Sequence, residues 1–175
     1  MMMNFMQAGL INYEGALKPV GFAFDAAPPT DPGSPTGAVS RFEAENMTLV
    51  NATVQSLQPA SNGQCIRMTS STVFGSAAFV YSADPAGEYV DVEWRYYDEN
   101  DGLSPYEAYI DGVLVDSWIA NEDTGQNGAN NNSARTRIVA DFTLLTGDTT
   151  VEIRSKINAG ENGRIDYAEI RRYVL

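Results

Sequence analysis

The sequence predicts an all-β fold, a two-layer β-sandwich, and three features carry that prediction. Glu88–Tyr97 reads EYVDVEWRYY, with Val90, Val92, Trp94 and Tyr96 on one face and Asp91, Glu93 and Arg95 on the other. That is the period-two alternation of a half-buried strand. Asp111-Gly112 stands between two β-rich runs in residues 106–118, a strong short-range hairpin signal. No helical period runs over any long stretch of residues 40–175, where short alternating segments are separated by Gly, Asp and Asn turns.

Taken in order, residues 1–25 mix apolar and small residues with weak periodicity and are read as an N-terminal arm. The opening MMMNFMQAGLINYEGALKP has no basic leading region, and Asn4, Gln7 and Asn12 break its apolar run. It is therefore not expected to act as an export signal, and no stretch is long enough to span a membrane. Residues 26–40 form a Pro/Gly-rich linker, with four prolines in AAPPTDPGSPTGA. Residues 41–175 are the sandwich. Within it, Pro85-Ala86-Gly87 turns the chain into the strand Glu88–Tyr97, which places Trp94 and Tyr96 in the core. Leu145-Thr146-Gly147-Asp148 turns it into a strand over residues 149–157, where Val151 and Ile153 oppose Glu152, Arg154 and Lys156. Residues 165–173 close the chain as a last strand. Residues 121–133, NEDTGQNGANNNS, form a long polar loop.

Composition narrows the function. Eleven basic and 23 acidic residues give a formal charge of −12, which argues against nucleic acid, anionic membranes and anionic polymers as partners. There is no histidine, so the commonest general base and most zinc or copper sites are excluded. The single cysteine, Cys65, allows no intrachain disulfide. The acidic run YYDENDG, with Asp98, Glu99 and Asp101, reads as a solvated turn or weak cation site rather than as the acid–base pair of a glycosidase. No enzymatic activity is expected.

Two motifs point to a metal. Arg41-Phe42-Glu43-Ala44-Glu45 stands at the start of the sandwich and Arg164-Ile165-Asp166-Tyr167 near its end. Carboxylates spaced i, i+2 project from one face of a strand. If the first and last strands are neighbours, Asp166 meets Glu43 and Glu45 in an oxygen-only site suited to calcium.

The order Glu43-Ala44-Glu45, Ser61-Asn62-Gly63, Pro85-Ala86-Gly87-Glu88-Tyr89, Tyr109-Ile110-Asp111-Gly112, Thr146-Gly147, Val151-Glu152-Ile153 and Ile165-Asp166-Tyr167-Ala168-Glu169-Ile170 resembles carbohydrate-binding modules of families six and thirty-five. The resemblance covers about residues 41–175. It implies a β-jelly roll that binds glycans without cleaving them and carries a structural calcium. Glu43, Glu45 and Asp166 would supply its carboxylates, and a backbone carbonyl from residues 61–67 would complete the site. It also implies a sugar site in loops at one end of the sandwich, for which Tyr97, Tyr106, Trp118, Asn121, Asn158 and Asn162 are the candidates. Aromatic faces would stack on a pyranose while amides read its hydroxyls. The sequence departs from the family in two places. Residues 121–133 contain no aromatic residue, and Arg164 precedes Ile165-Asp166-Tyr167 where many members have Asn.

The expected partner is a polysaccharide or surface glycan. An arm, a proline linker and an outward sandwich also suit a decoration or fibre protein on a phage particle. In that reading residues 1–38 would contact other copies of the chain or a capsid or tail protein, and the location would be the virion surface. The alternative is an accessory glycan-binding module of a polysaccharide-degrading system, extracellular or at the cell surface.

Overall fold

A computed structural model describes residues 35, 37–99, 102–122 and 128–174. The chain divides into residues 1–31 and 32–175, and the sandwich lies in the second unit. The expected arm, and the linker apart from Pro35 and residues 37–40, lie outside the described residues.

Among the described residues eleven strands follow in order: β1 (Val39–Glu43), β2 (Thr48–Val50), β3 (Ala52–Ser56), β4 (Gln64–Met68), β5 (Gly75–Ser82), β6 (Glu88–Tyr97), β7 (Ser104–Ile110), β8 (Val113–Ala120), β9 (Ala134–Leu145), β10 (Asp148–Ser155) and β11 (Arg164–Arg172). One sheet runs β3-β4-β11-β6-β9 with β1 also on β11, and the other runs β2-β5-β10-β7-β8. Every pairing is antiparallel. This is the expected sandwich of jelly-roll type. The apolar faces behave as their pattern requires: Val90, Val92, Trp94, Val151 and Ile153 are at most 1 % exposed and line the space between the sheets with Ile66, Tyr106, Ile165 and Ile170. The expectation of a half-buried β6 is corrected, because Asp91 and Glu93 on its polar face are buried too. Burial of this kind is the dominant favourable term in folding. A smaller cluster packs Ala60, Cys65 and Tyr97 beneath Leu57, Ala129 and Ala134. Burial there pushes the Cys65 thiol up to about 12, leaving it inert.

The hairpin signal is realised in the β7–β8 turn, where Asp111 (φ 49°) and Gly112 (φ 76°) both adopt left-handed conformations. Such a turn matches the twist of the flanking strands. The Asp111 carboxylate also accepts the Thr150 N–H at 2.7 Å, which ties the hairpin to β10.

Two consequences of this topology set up the sites below. β1 runs antiparallel along β11 with Glu43 opposite Tyr167, while β4 meets β11 at Arg164 and Ile165. Since β6 occupies the other edge of β11, β1 and β4 share one edge, and the β3–β4 connection reaches the end of β1. The β6–β7, β8–β9 and β10–β11 connections converge at the start of β11, close to the β3–β4 connection, where Leu57 and Ala60 pack with Tyr97, Ala129 and Ala134.

Candidate metal and glycan sites

The first and last strands are neighbours, as the metal reading requires, but Glu43 and Glu45 do not share a strand. β1 ends at Glu43, and Glu45 lies in a one-turn 3-10 helix, Ala44–Asn46. Ala44 is fully buried and fixes that turn against the core. The two carboxylates then meet the β3–β4 connection. Ser61 Oγ donates to Glu43 Oε1 at 2.9 Å, and Asn62 Nδ2 donates to Glu45 Oε1 at 3.2 Å. The second oxygens, Glu43 Oε2 and Glu45 Oε2, are buried without a hydrogen-bond partner. Burial, reinforced by the neighbouring Glu45 carboxylate, holds the Glu43 carboxyl above its ordinary range.

Asp166 is fully buried beside them and is differently engaged. Its Oδ1 accepts the Ser61 N–H at 2.9 Å, and its Oδ2 lies 3.3 Å from Arg95 Nη1 and 3.4 Å from the Tyr97 hydroxyl. Among the described residues, no group of three or more Asp, Glu, His or Cys side chains is arranged to hold a metal ion. Two buried carboxylate oxygens without donors nevertheless form a feature that a hard, oxygen-seeking cation satisfies. On that observation Glu43 and Glu45 fit a calcium ion, with Asp166, the third expected ligand, buried beside them.

Beside the start of β11, three connections are stitched together by carboxylates. Glu161 Oε1 accepts the Glu99 N–H at 3.0 Å and its Oε2 accepts the Ser104 N–H at 2.8 Å. Asp98 Oδ2 accepts the Glu122 N–H at 3.2 Å. Asn158 Nδ2 donates to the Leu103 carbonyl at 2.9 Å. Arg164, buried, pairs with Glu99 through Nη1 and donates from Nε to Gln55 Oε1. The expectation of a solvated acidic turn is corrected here: Asp98 and Glu99 are buried. Asp101 lies outside the described residues. Glu161, 1 % exposed, was not singled out in the sequence, because NAGENG reads as any polar turn. Burial raises its carboxyl to about 7.

The glycan candidates divide into two groups. Tyr97 and Tyr106 are fully buried, so neither presents a ring face to a sugar, and both are core residues instead. The Trp118 ring is half-buried, with Tyr106 stacked on it at 5.2 Å and the Arg137 guanidinium over it at 4.9 Å. Protein packs against the ring, which also lines a surface hollow with Pro105, Glu107, Ser117 and Ile119. Asn121 and Asn158 are exposed and Asn162 half-buried. The structure brings Asn121 and Asn158 to the same end of the sandwich, through the Asp98 and Leu103 contacts just described.

No family model matches the sequence, and no curated protein matches it. Solved structures do match the fold. A family 35 carbohydrate-binding module from Clostridium thermocellum aligns at TM-score 0.59 and 14% identity, over 77% of this chain and 98% of that one. The GH26-CBM35 β-(1,4)-mannanase of Podospora anserina aligns at TM-score 0.58 and 16% identity, over 78% of this chain but only 28% of the enzyme. A CBM36 module in complex with calcium and xylotriose aligns at TM-score 0.51 and 18% identity, over 75% of this chain and 98% of that module. The sandwich therefore has the fold of carbohydrate-binding modules.

Proposed function

We propose that residues 41–175 form a non-catalytic carbohydrate-binding module that binds a polysaccharide or surface glycan and is stabilised by one calcium ion. The observation that supports this reading is the match over 98% of their length to two carbohydrate-binding modules of this fold. The buried chemistry agrees with it. Both oxygens of Glu161, the carboxyl with the most acid-like environment at the loop end, are committed to backbone N–H groups. A general acid must offer its proton to a substrate oxygen.

Glu43, Glu45 and Asp166 would hold the calcium ion, which would supply positive charge among the carboxylates and join the end of β1 to β11. Asn121, Asn158 and Asn162 offer amides for sugar hydroxyls at the loop end. Tyr97 and Tyr106 are buried, so a surface for stacking on a sugar would lie elsewhere. Affinity electrophoresis of the full chain through gels containing mannan, xylan or bacterial surface polysaccharide, with calcium or with chelator, tests the reading. Retardation by a glycan without its hydrolysis supports it, and free migration through all of them opposes it.

The mannanase match supports an accessory role in a glycan-degrading system. We further propose an extracellular or cell-surface location for it. Display on a virion through residues 1–38 is a second proposal, resting on the arm-and-linker composition. Deleting residues 1–38 would abolish particle association in that case and leave glycan binding unchanged.

A further inference from the structure

We propose that the outer edge of β8 is the contact of a symmetric dimer, in which a second copy of this chain adds its own β8 antiparallel to the first. β8 ends its sheet, and among the described residues no strand pairs with its outer edge. Such an edge offers a row of unpaired N–H and C=O groups to another chain, and proteins blunt it with short strands, charges or bulges. The other ends of the two sheets are blunted in these ways. β2 has three residues, β3 is mostly polar, and β9 carries Arg135, Arg137 and Asp141 and twice shifts register against β6. β8 is eight residues long and reads VLVDSWIA. Its Val113, Leu114, Val115 and Ile119 are between 39 % and 65 % exposed, and Ile138 of the neighbouring β9 is exposed as well.

Charge selects a second copy as the occupant. The chain carries −12, so a partner drawn by that charge would be basic, and most of the surface repels another copy. β8 offers a basic partner nothing, because Asp116 is its single charged residue and is paired with Arg137 at 2.6 Å. A neutral, apolar edge is matched by its own copy. The strand is also self-complementary in one register. Asp116 and Trp118 turn toward the other sheet, onto Arg137 and Tyr96, while Ser117 and Ile119 line the surface hollow. The register shift against β7 lies between Ala108 and Tyr109, so residues 116–120 remain regular. A two-fold axis at Ser117 sets Ser117 opposite its copy, and sets Val115 opposite Ile119 of the second copy on either side. An axis at Asp116 would instead bring two carboxylates face to face.

The test uses the full chain. Sedimentation equilibrium from about 10 to 500 μM should show the mass rise from 19.0 kDa toward twice that value. Val115→Lys and Ile119→Lys each change an exposed side chain beside the axis. Each should leave the melting temperature within about 2 °C of the wild type and hold the chain monomeric at every concentration. Residues opposite one another in an antiparallel pair lie about 4.5–5.5 Å apart at Cα, within disulfide reach. Cys65 is buried, so Ser117→Cys adds the reactive thiol. Under mild oxidation it should crosslink two copies at least about tenfold faster than Ser56→Cys, an exposed position on the β3 edge. A wild-type chain that is monomeric throughout the range overturns the proposal. So does a dimer that survives both lysine variants, or equal crosslinking through residues 56 and 117. A monomer in which the Ser117→Cys thiol resists a thiol reagent has that edge covered from within the chain, and this overturns the proposal too.

Discussion

The calcium site can be tested through stability, because the structure indicates how much is at stake. Glu43 Oε2 and Glu45 Oε2 are buried acceptors without donors. An unsatisfied buried polar atom costs about 1–3 kcal/mol, and more when charged. Two of them leave the metal-free fold about 2–6 kcal/mol short of what it can reach. Calcium at a thousandfold excess over its Kd stabilises a protein by about 4 kcal/mol, which lies within that range. At roughly 2–4 °C per kcal/mol for a domain of this size, the melting temperature should rise by about 8–16 °C. The assay is a thermal melt of the full chain in millimolar calcium against the same melt in excess chelator. The double variant Glu43→Gln with Glu45→Gln should show no calcium shift and should melt above the wild type in chelator, because two facing charges are gone. Equal wild-type melts in calcium and chelator would refute the reasoning, as would a calcium shift that survives in the double variant.

Other predictions follow from the loop end and the core. Glu161 has a folded-state carboxyl near pH 7 against an ordinary 4.5, so its stabilising effect is complete below 4.5 and is lost as pH rises toward 7 and beyond. That loss is about 3 kcal/mol between the two limits, and urea melts from pH 4 to 8 should show a shallower decline in Glu161→Gln than in the wild type; parallel curves would contradict it. Trp118→Ala removes a half-buried ring stacked on Tyr106 and should lower unfolding free energy by about 3 kcal/mol in chemical denaturation. A loss of glycan binding in that variant without a loss of stability would instead make Trp118 a sugar platform. Asn121→Ala alters an exposed side chain and should weaken glycan retardation severalfold while moving the melting temperature by less than about 2 °C, within the usual range for surface substitutions.

The strands were legible because their faces differ. Glu88–Tyr97 alternates so regularly that β6 begins and ends where its pattern does. The Asp111-Gly112 turn was legible because few sequences tolerate two consecutive left-handed residues. The meeting of β1 and β11 was legible only as a condition, since residues so distant in sequence share a site only once the sheet order is known. The one-turn helix carrying Glu45 was missed because three residues are too few to show a period. Tyr97 and Tyr106 were misread for a related reason. An aromatic residue beside a polar loop looks the same whether it faces a ligand or a neighbouring side chain. Tyr97 alternates with the inward face of β6 and is covered by Leu57 and Ala129, from connections that local pattern cannot place. The same blindness hid Glu161: its role depends on the amides of Glu99 and Ser104, more than fifty residues away.

The most direct test of the account is titration calorimetry of the full chain with mannan-, xylan- and bacterial-surface-type oligosaccharides in millimolar calcium, with each mixture assayed afterward for released sugar. The account predicts saturable binding of at least one of them, weakened by Asn121→Ala and Asn158→Ala, with every oligosaccharide recovered intact. Heat from none of them, or hydrolysis of any, would contradict it.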